Sequence, residues 1–203
     1  PGTSKILDHL IAACDIPQAT GFSVPGQTLP HPRDFINSRD IQPGEILYID
    51  DIRISCCENT HYRPEDQFGK QGPISLSYRF DAPDRSMVFT GDTGPCLALE
   101  EFAKNADLLV GELFDTELVI NRLRATNPDM SDHALLQMRQ HFDEHHLTPE
   151  DLGQLASRAG VKKVVAVHIP FITKSAEEDA KYVSRILAKF SGSVTISEDL
   201  AAY

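Results

Sequence analysis

Long apolar runs and basic residues are both scarce in this sequence of 203 residues. No stretch approaches the roughly 20 consecutive apolar residues that a membrane-spanning helix needs. Lysine and arginine number 19 against 30 for aspartate and glutamate, the net charge is −11, and the longest basic cluster is Lys162-Lys163. A field of that sign repels nucleic acids and anionic membranes. We therefore expect neither a nucleic-acid partner nor a membrane partner.

Cysteine is also sparse, with four residues that form no Cys-x-x-Cys pair and no zinc-ribbon pattern. Cys56 and Cys57 are adjacent, so on a strand their side chains point to opposite faces and a bridge between them is strained. We expect all four cysteines to be free thiols, most of them in the core. They do not indicate a compartment. Cytoplasm and periplasm both stay open, because any export signal would precede Pro1.

The order of the predicted elements indicates the fold class. Hydrophobic residues make up 41% of the chain and charged residues 24%, the balance of a soluble globular domain, and we treat 1–203 as a single domain. Turn residues at Pro43-Gly44 and Asp50-Asp51 bound two short strand-like runs, which predicts a hairpin. Further along, strand patterns alternate with helix patterns, and the clearest helix begins at Thr148-Pro149 and ends at Gly160. This order predicts a sheet with helices packed on its faces.

Three potential metal ligands, His61, Asp92 and His168, each follow a strand-like run at the point where the chain leaves the predicted sheet. Open sheets place ligands beyond their strand ends, because side chains can converge there without being buried in the core. Two imidazoles and one carboxylate suit zinc, manganese or iron. Spacings of 31 and 76 residues mean that the fold, rather than a local loop, would assemble such a site.

Each of these residues has a simpler interpretation when it is taken alone. His61 could be a histidine of a surface loop, and Asp92 could order the turn Gly-Asp-Thr-Gly through its carboxylate. His168 could be a hydrogen-bonded histidine of the core. The joint pattern of all three is what favours a metal site.

Three motifs around these residues resemble motifs of a known family. The run Val88-Phe89-Thr90-Gly91-Asp92-Thr93 is similar to the strand-Gly-Asp-Thr motif of the metallo-β-lactamase superfamily. The stretch from His146-Leu147-Thr148 to His168, 22 residues later, resembles part of ribonuclease Z and its phosphodiesterase and arylsulfatase-like relatives. In those proteins His-x-Thr opens a helix and a ligand histidine follows the next strand. Glu58-Asn59-Thr60-His61 resembles the strand end whose histidine precedes the bridging aspartate.

The resemblance implies an α/β fold, the C-terminal portion of an αββα sandwich whose mixed sheets carry helices on their outer faces. It also implies two divalent metal ions, zinc ahead of manganese or iron. His61 would complete the first metal site, Asp92 would bridge the ions, and His168 would complete the second. His146 would be the general acid that protonates the leaving oxygen, a role that suits imidazole because it titrates near neutrality. The alternative for His146 is an exposed residue beside His145.

The sequence departs from this family in one respect, because it contains no His-x-His-x-Asp-His cluster. In the family that cluster supplies ligands to both metals. His61, Asp92 and His168 alone would give each ion too few protein ligands for a tight site. The chain also opens on Pro1-Gly2-Thr3, which resembles a loop found partway through these proteins. We therefore expect a preceding segment to carry the other ligands.

These features predict a metal-dependent hydrolase that directs a metal-activated water at a phosphodiester, a sulfate ester or a similar small anionic ester. A tRNA 3′-endonuclease of the ribonuclease Z type is the first alternative. Those enzymes carry a long tRNA-binding arm between the residues that match His61 and Asp92, which here lie only 31 residues apart. The second alternative is a non-catalytic homologue that serves as a binding module. The oligomeric state is left open, a homodimer included.

Overall fold

A computed structural model describes residues 2–19, 30–62, 73–170 and 175–203 of the chain. Contacts between Cα atoms divide the chain into two compact units, Pro1–Gln42 and Pro43–Tyr203. Within the described ranges, no helix is both long and apolar enough to cross a membrane.

The first unit contains a long helix, α1 (Thr3–Ala19), and a 3-10 turn at Pro32–Asp34. The carboxylate of Asp40 accepts hydrogen bonds from the backbone N–H groups of Gly2 (2.9 Å) and Ser4 (3.2 Å) at the start of the helix. These bonds lower the pKa of Asp40, because they stabilise its charged form. A carboxylate in this position also complements the positive end of the helix dipole.

The second unit is built on a seven-stranded sheet whose strands lie side by side in chain order. The first three pairings are antiparallel and the last three are parallel. The predicted hairpin is confirmed, with Ile49 opposite Ile52 at its turn. The strands are β1 (Ile46–Ile49), β2 (Ile52–Glu58), β3 (Leu76–Asp81), β4 (Ser86–Phe89), β5 (Leu108–Glu112), β6 (Lys163–Val167) and β7 (Ser193–Ile196).

Helices connect the parallel strands, as they must, because a parallel pair needs a crossover that returns the chain to the same end of the sheet. The predicted start of the clearest helix is confirmed, since the Thr148 side chain accepts a hydrogen bond from Asp151 N and Pro149 is the first helical residue. Gly160 ends this helix with a φ of 67°. The helices of this unit that the structure describes are α2 (Leu97–Phe102), α3 (Thr116–Thr126), α4 (Asp132–His145), α5 (Pro149–Ala159) and α6 (Ala176–Leu187).

Hydrophobic side chains between the sheet and the helices form the core. Val88, Leu109 and Val164 are register partners on neighbouring strands, and all three are fully buried. Leu152 of α5 and Ile186 of α6 belong to the same buried cluster. The predicted fold class, α/β with a mixed sheet and packed helices, is therefore confirmed.

The carboxyl ends of five strands, β7 included because it is parallel to β6, lie at one edge of this sheet. β4, β5 and β6 run parallel, so they end at the same edge. β2 has the same direction, because it is antiparallel to β3 and β3 is antiparallel to β4. The segments that carry His61, Asp92 and His168 leave the sheet from this common edge.

Candidate metal centre

The three predicted ligands lie close together at this edge, with Asp92 common to two groups of donor atoms. In each group all the donor atoms lie within 4.8 Å of one another. One group joins Asp92 to His61 and His146, and the other joins Asp92 to Glu112 and His168. The structure thus brings His61 and His168 to the same carboxylate, in different groups.

The turns that carry Asp92 and His168 both use left-handed backbone. Gly91 has a φ of 60°, and a Cβ there would lie 3.4 Å from the backbone oxygen of Leu76. His168 has a φ of 53°, which is uncommon for a residue other than glycine. Its Nδ1 lies 2.8 Å from Asp92 Oδ1, so the carboxylate accepts a hydrogen bond from the imidazole. The His168 side chain is 65% exposed, so this part of the site is open to solvent.

Glu112, the last residue of β5, is a buried carboxylate that the sequence patterns did not single out. It is 1% exposed. Its Oε1 accepts a hydrogen bond from Thr93 N, and its Oε2 accepts one from His146 Nδ1 at 2.9 Å. Burial raises the pKa of Glu112, and the bonds from His146 and Thr93 oppose that shift. Glu112 therefore joins the turn after Asp92 to the imidazole of His146.

His146 is held from two sides. Its bond to Glu112 uses Nδ1, so Nε2 is the nitrogen left for a substrate or an ion. The ring stacks on Phe114 with a centroid separation of 4.3 Å and an interplanar angle of 18°. The His61 ring meets it edge-on at 5.1 Å. The side chain is 12% exposed, so the alternative of an exposed histidine is wrong.

Asn59 orders the segment that carries His61. The side chain is buried, at 4% exposed, and all of its polar atoms have partners. Its Nδ2 donates to Ser77 Oγ (3.1 Å) and to the backbone oxygen of Thr90 (3.0 Å), and its Oδ1 accepts from His61 N (3.2 Å). One amide therefore links the His61 segment to the segment that leads into Asp92.

The turn after Asp92 also packs closely against the end of α4. A Cβ on Gly94 would lie 1.9 Å from the backbone oxygen of Glu144, so a larger residue would not fit without movement of the backbone. In the same turn Thr93 Oγ1 lies 3.3 Å from Thr60 N. Glycine at position 94 is thus required for the close approach of the turn after Asp92 to the end of α4, directly before His146.

The chemistry of the donor set fits transition metal ions, because imidazole nitrogens and carboxylate oxygens are common ligands of zinc, manganese and iron. Glu112 already uses both oxygens, for Thr93 and His146, so it is better placed to orient His146 than to bind an ion. Apart from His146, whose Nε2 can serve either an ion or a substrate, that leaves His61, Asp92 and His168, with two donors for each ion. Catalytic zinc usually has three protein ligands and a water, so the described residues supply part of such a site.

A cavity of about 590 Å³ adjoins His168. Its described lining contains no lysine or arginine, and its ionisable members besides His168 are all acidic. They are Asp179, Glu198 and Asp199. The cavity therefore suits a neutral or cationic part of a ligand better than an anionic part.

Comparison with known proteins supports this description. A family model, the beta-lactamase superfamily domain, matches residues 15–169 of the chain. Ribonuclease Z of Mycobacterium avium (strain 104) is 30% identical over 127 residues, which cover 62% of this chain and 40% of that protein. Ribonuclease Z of Mycolicibacterium gilvum (strain PYR-GCK) is 23% identical over 206 residues, which cover 98% of this chain and 62% of that protein. The chain thus spans less than two thirds of the length of these relatives.

Two solved structures share the fold. The metallo-beta-lactamase fold protein YhfI from Bacillus subtilis has a TM-score of 0.53 and 18% identity, over 78% of this chain and 52% of that one. Zn(2+)-bound PqqB from Methylobacterium extorquens has a TM-score of 0.55 and 15% identity, over 83% of this chain and 56% of that one. With the family match, these findings show that the chain belongs to the metallo-β-lactamase superfamily. The resemblance predicted from the motifs is confirmed.

The contacts of Asn59 generate a prediction about stability. Asn59→Ala removes three hydrogen bonds and leaves the backbone N–H of His61 without its acceptor, so the free energy of unfolding should fall by about 1–3 kcal/mol. Urea unfolding followed by circular dichroism measures this change. Asn121→Ala is the matched control, because Asn121 is exposed on α3 and its loss should change stability by no more than about 0.5 kcal/mol. Equal losses in the two variants would contradict the role given to Asn59.

Proposed function

We propose that the protein to which this chain belongs is a metal-dependent hydrolase of small anionic esters, with phosphodiesters and sulfate esters as the first classes to test. The observation that carries the proposal is that Asp92 contributes to both groups of candidate donor atoms. A carboxylate shared in this way suits a pair of ions about 3.5–4 Å apart. Membership of the metallo-β-lactamase superfamily supports the same reaction class.

In this proposal His61 and Asp92 hold the first ion, and Asp92 and His168 hold the second. Zinc is the first choice, with manganese or iron as alternatives, and the zinc-bound state of the structural neighbour PqqB supports that choice. When bound, two such ions lower the pKa of a water molecule and stabilise charge on the attacking and leaving oxygens.

His146 supplies the proton to the leaving oxygen. Its Nδ1 donates to Glu112, which keeps Nε2 available to carry a proton toward the substrate. The buried carboxylate of Glu112 stabilises the imidazolium that forms when Nε2 is protonated. The stacked ring of Phe114 restricts rotation of the His146 imidazole, so Nε2 and the proton it carries keep one position. An imidazole positioned in this way increases the reaction rate by acting as a general acid.

Charge favours a small substrate over tRNA. The chain has a net charge of −11, and the cavity beside His168 has an acidic lining. A tRNA would bring many phosphates against these groups. The ribonuclease Z relatives nevertheless make tRNA 3′-end cleavage the second candidate.

The shared carboxylate generates the test of this proposal. The full-length protein should carry about two transition metal ions per chain by elemental analysis, and it should hydrolyse bis(4-nitrophenyl) phosphate or 4-nitrophenyl sulfate. Asp92→Ala should lose both the ions and the activity, because both proposed sites share this residue. Asp129→Ala, at an exposed position, is the control and should keep both.

Three outcomes would overturn the proposal in different ways. Unchanged metal content in Asp92→Ala would exclude the bridging role. Faster cleavage of a precursor tRNA than of either ester would favour the ribonuclease Z alternative. A wild-type protein without metal or activity would favour the non-catalytic homologue.

The contacts of His146 generate a separate prediction. His146→Ala should reduce kcat by ~10²–10⁴-fold while metal content is unchanged, as expected for loss of a general acid. His133→Ala, an exposed histidine on α4, should leave kcat unchanged. Loss of metal from His146→Ala would instead show that His146 is a ligand. That role is compatible with the presence of His146 in the donor group of His61 and Asp92.

A further inference from the structure

His145 is a buried histidine that the proposed reaction does not use. It is the last residue of α4, directly before His146, and it is 7% exposed. Burial of an imidazole without hydrogen bonds is costly, so its contacts should explain why it is buried. Its ring also lies 4.5 Å from the ring of His141, one helical turn earlier.

His145 makes two hydrogen bonds with the segment that carries His61, one through its side chain and one through its backbone oxygen. The His145 side chain donates from Nδ1 to the backbone oxygen of Thr60 at 3.0 Å. The backbone oxygen of His145 accepts from His61 Nδ1 at 3.2 Å. A carbonyl oxygen can only accept, so both imidazoles carry their hydrogen on Nδ1. In the neutral form of His61, Nε2 is therefore left with its lone pair.

This hydrogen-bonding pattern is the one that orients a metal-binding histidine. A ligating imidazole usually donates its other N–H to a carboxylate or a backbone carbonyl, which fixes both the ring and its tautomer. Here the carbonyl belongs to the residue next to His146. The position of His61 is therefore coupled to the position of His146, whose ring it meets edge-on at 5.1 Å.

We propose that His145 is a positioning residue, whose imidazole holds Thr60 at the end of α4 by a hydrogen bond. As a result, His61 Nδ1 stays hydrogen-bonded to the His145 carbonyl oxygen, and His61 Nε2 stays available to a metal ion. The inference rests on the proposed function for the statement that His61 is a ligand. It adds that the tautomer of His61 depends on a side chain that does not itself touch the ion.

The test compares two substitutions of His145 in the full-length protein. His145→Asn places an amide N–H near the position of Nδ1 and can still donate to the Thr60 oxygen, whereas His145→Leu fills the space and cannot donate. His133→Asn is the control, because His133 is exposed on the same helix. The first readout is the tautomer of His61, from side-chain nitrogen chemical shifts in the metal-free protein at about pH 8, where imidazole is neutral. The second is the affinity for Co²⁺, from its visible absorption spectrum.

Wild type, His145→Asn and His133→Asn should all show the Nδ1–H tautomer at His61. His145→Leu should shift His61 toward the Nε2–H tautomer that a free histidine side chain prefers, and it should bind Co²⁺ about 10- to 100-fold more weakly. The same tautomer and the same Co²⁺ affinity in His145→Leu as in His145→Asn would overturn the inference. A general loss of packing alone would not change the His61 tautomer selectively.

Two further outcomes keep the inference separate from the proposed function. A wild-type protein that binds no Co²⁺ would contradict the proposed function, but the tautomer comparison would still test the positioning role. If His145→Leu does not fold, His145→Gln replaces it, since its amide reaches the place of Nε2 rather than Nδ1. Retention of the Nδ1–H tautomer in His145→Gln would then overturn the inference.

Discussion

The buried carboxylate of Glu112 is the group on which the geometry of the candidate centre depends most. One oxygen accepts from Thr93 N in the turn after Asp92, and the other accepts from His146 at the end of α4. A carboxylate that is 1% exposed is costly unless it is paired, and here both of its oxygens have donors. The backbone N–H of Glu112 donates to Thr90 Oγ1 at 3.1 Å, which ties β5 to the end of β4. One buried residue therefore links the turn after Asp92 to His146.

The candidate site could be predicted from the sequence where its residues follow strands. His61, Asp92 and His168 each stand just beyond a hydrophobic run, and strand ends at one sheet edge converge in any fold of this kind. Glu112 obeys the same rule at the end of β5, so a signal was present in the sequence. Asn59 gave no such signal, because its three bonds reach segments that only the folded chain brings together.

The fold was predictable where local signals were strong, as in the hairpin turn and the cap at Thr148. The helix α3 was not predicted, although Asp115 caps it by accepting from Leu118 N. Its buried residues are few, and it packs against α4, so its stability comes from a neighbour rather than from a clear apolar stripe. Family membership establishes the fold, while the substrate of the proposed hydrolase depends on surfaces such as the acidic cavity beside His168.

Anomalous X-ray diffraction from crystals of the zinc-loaded full-length protein tests the central claim most directly, because it locates metal ions without reference to activity. Two anomalous peaks should lie beside Asp92, one about 2.0–2.1 Å from a nitrogen of His61 and the other at the same distance from a nitrogen of His168. No peak within bonding distance of Asp92, or zinc bound only elsewhere on the protein, would contradict the account.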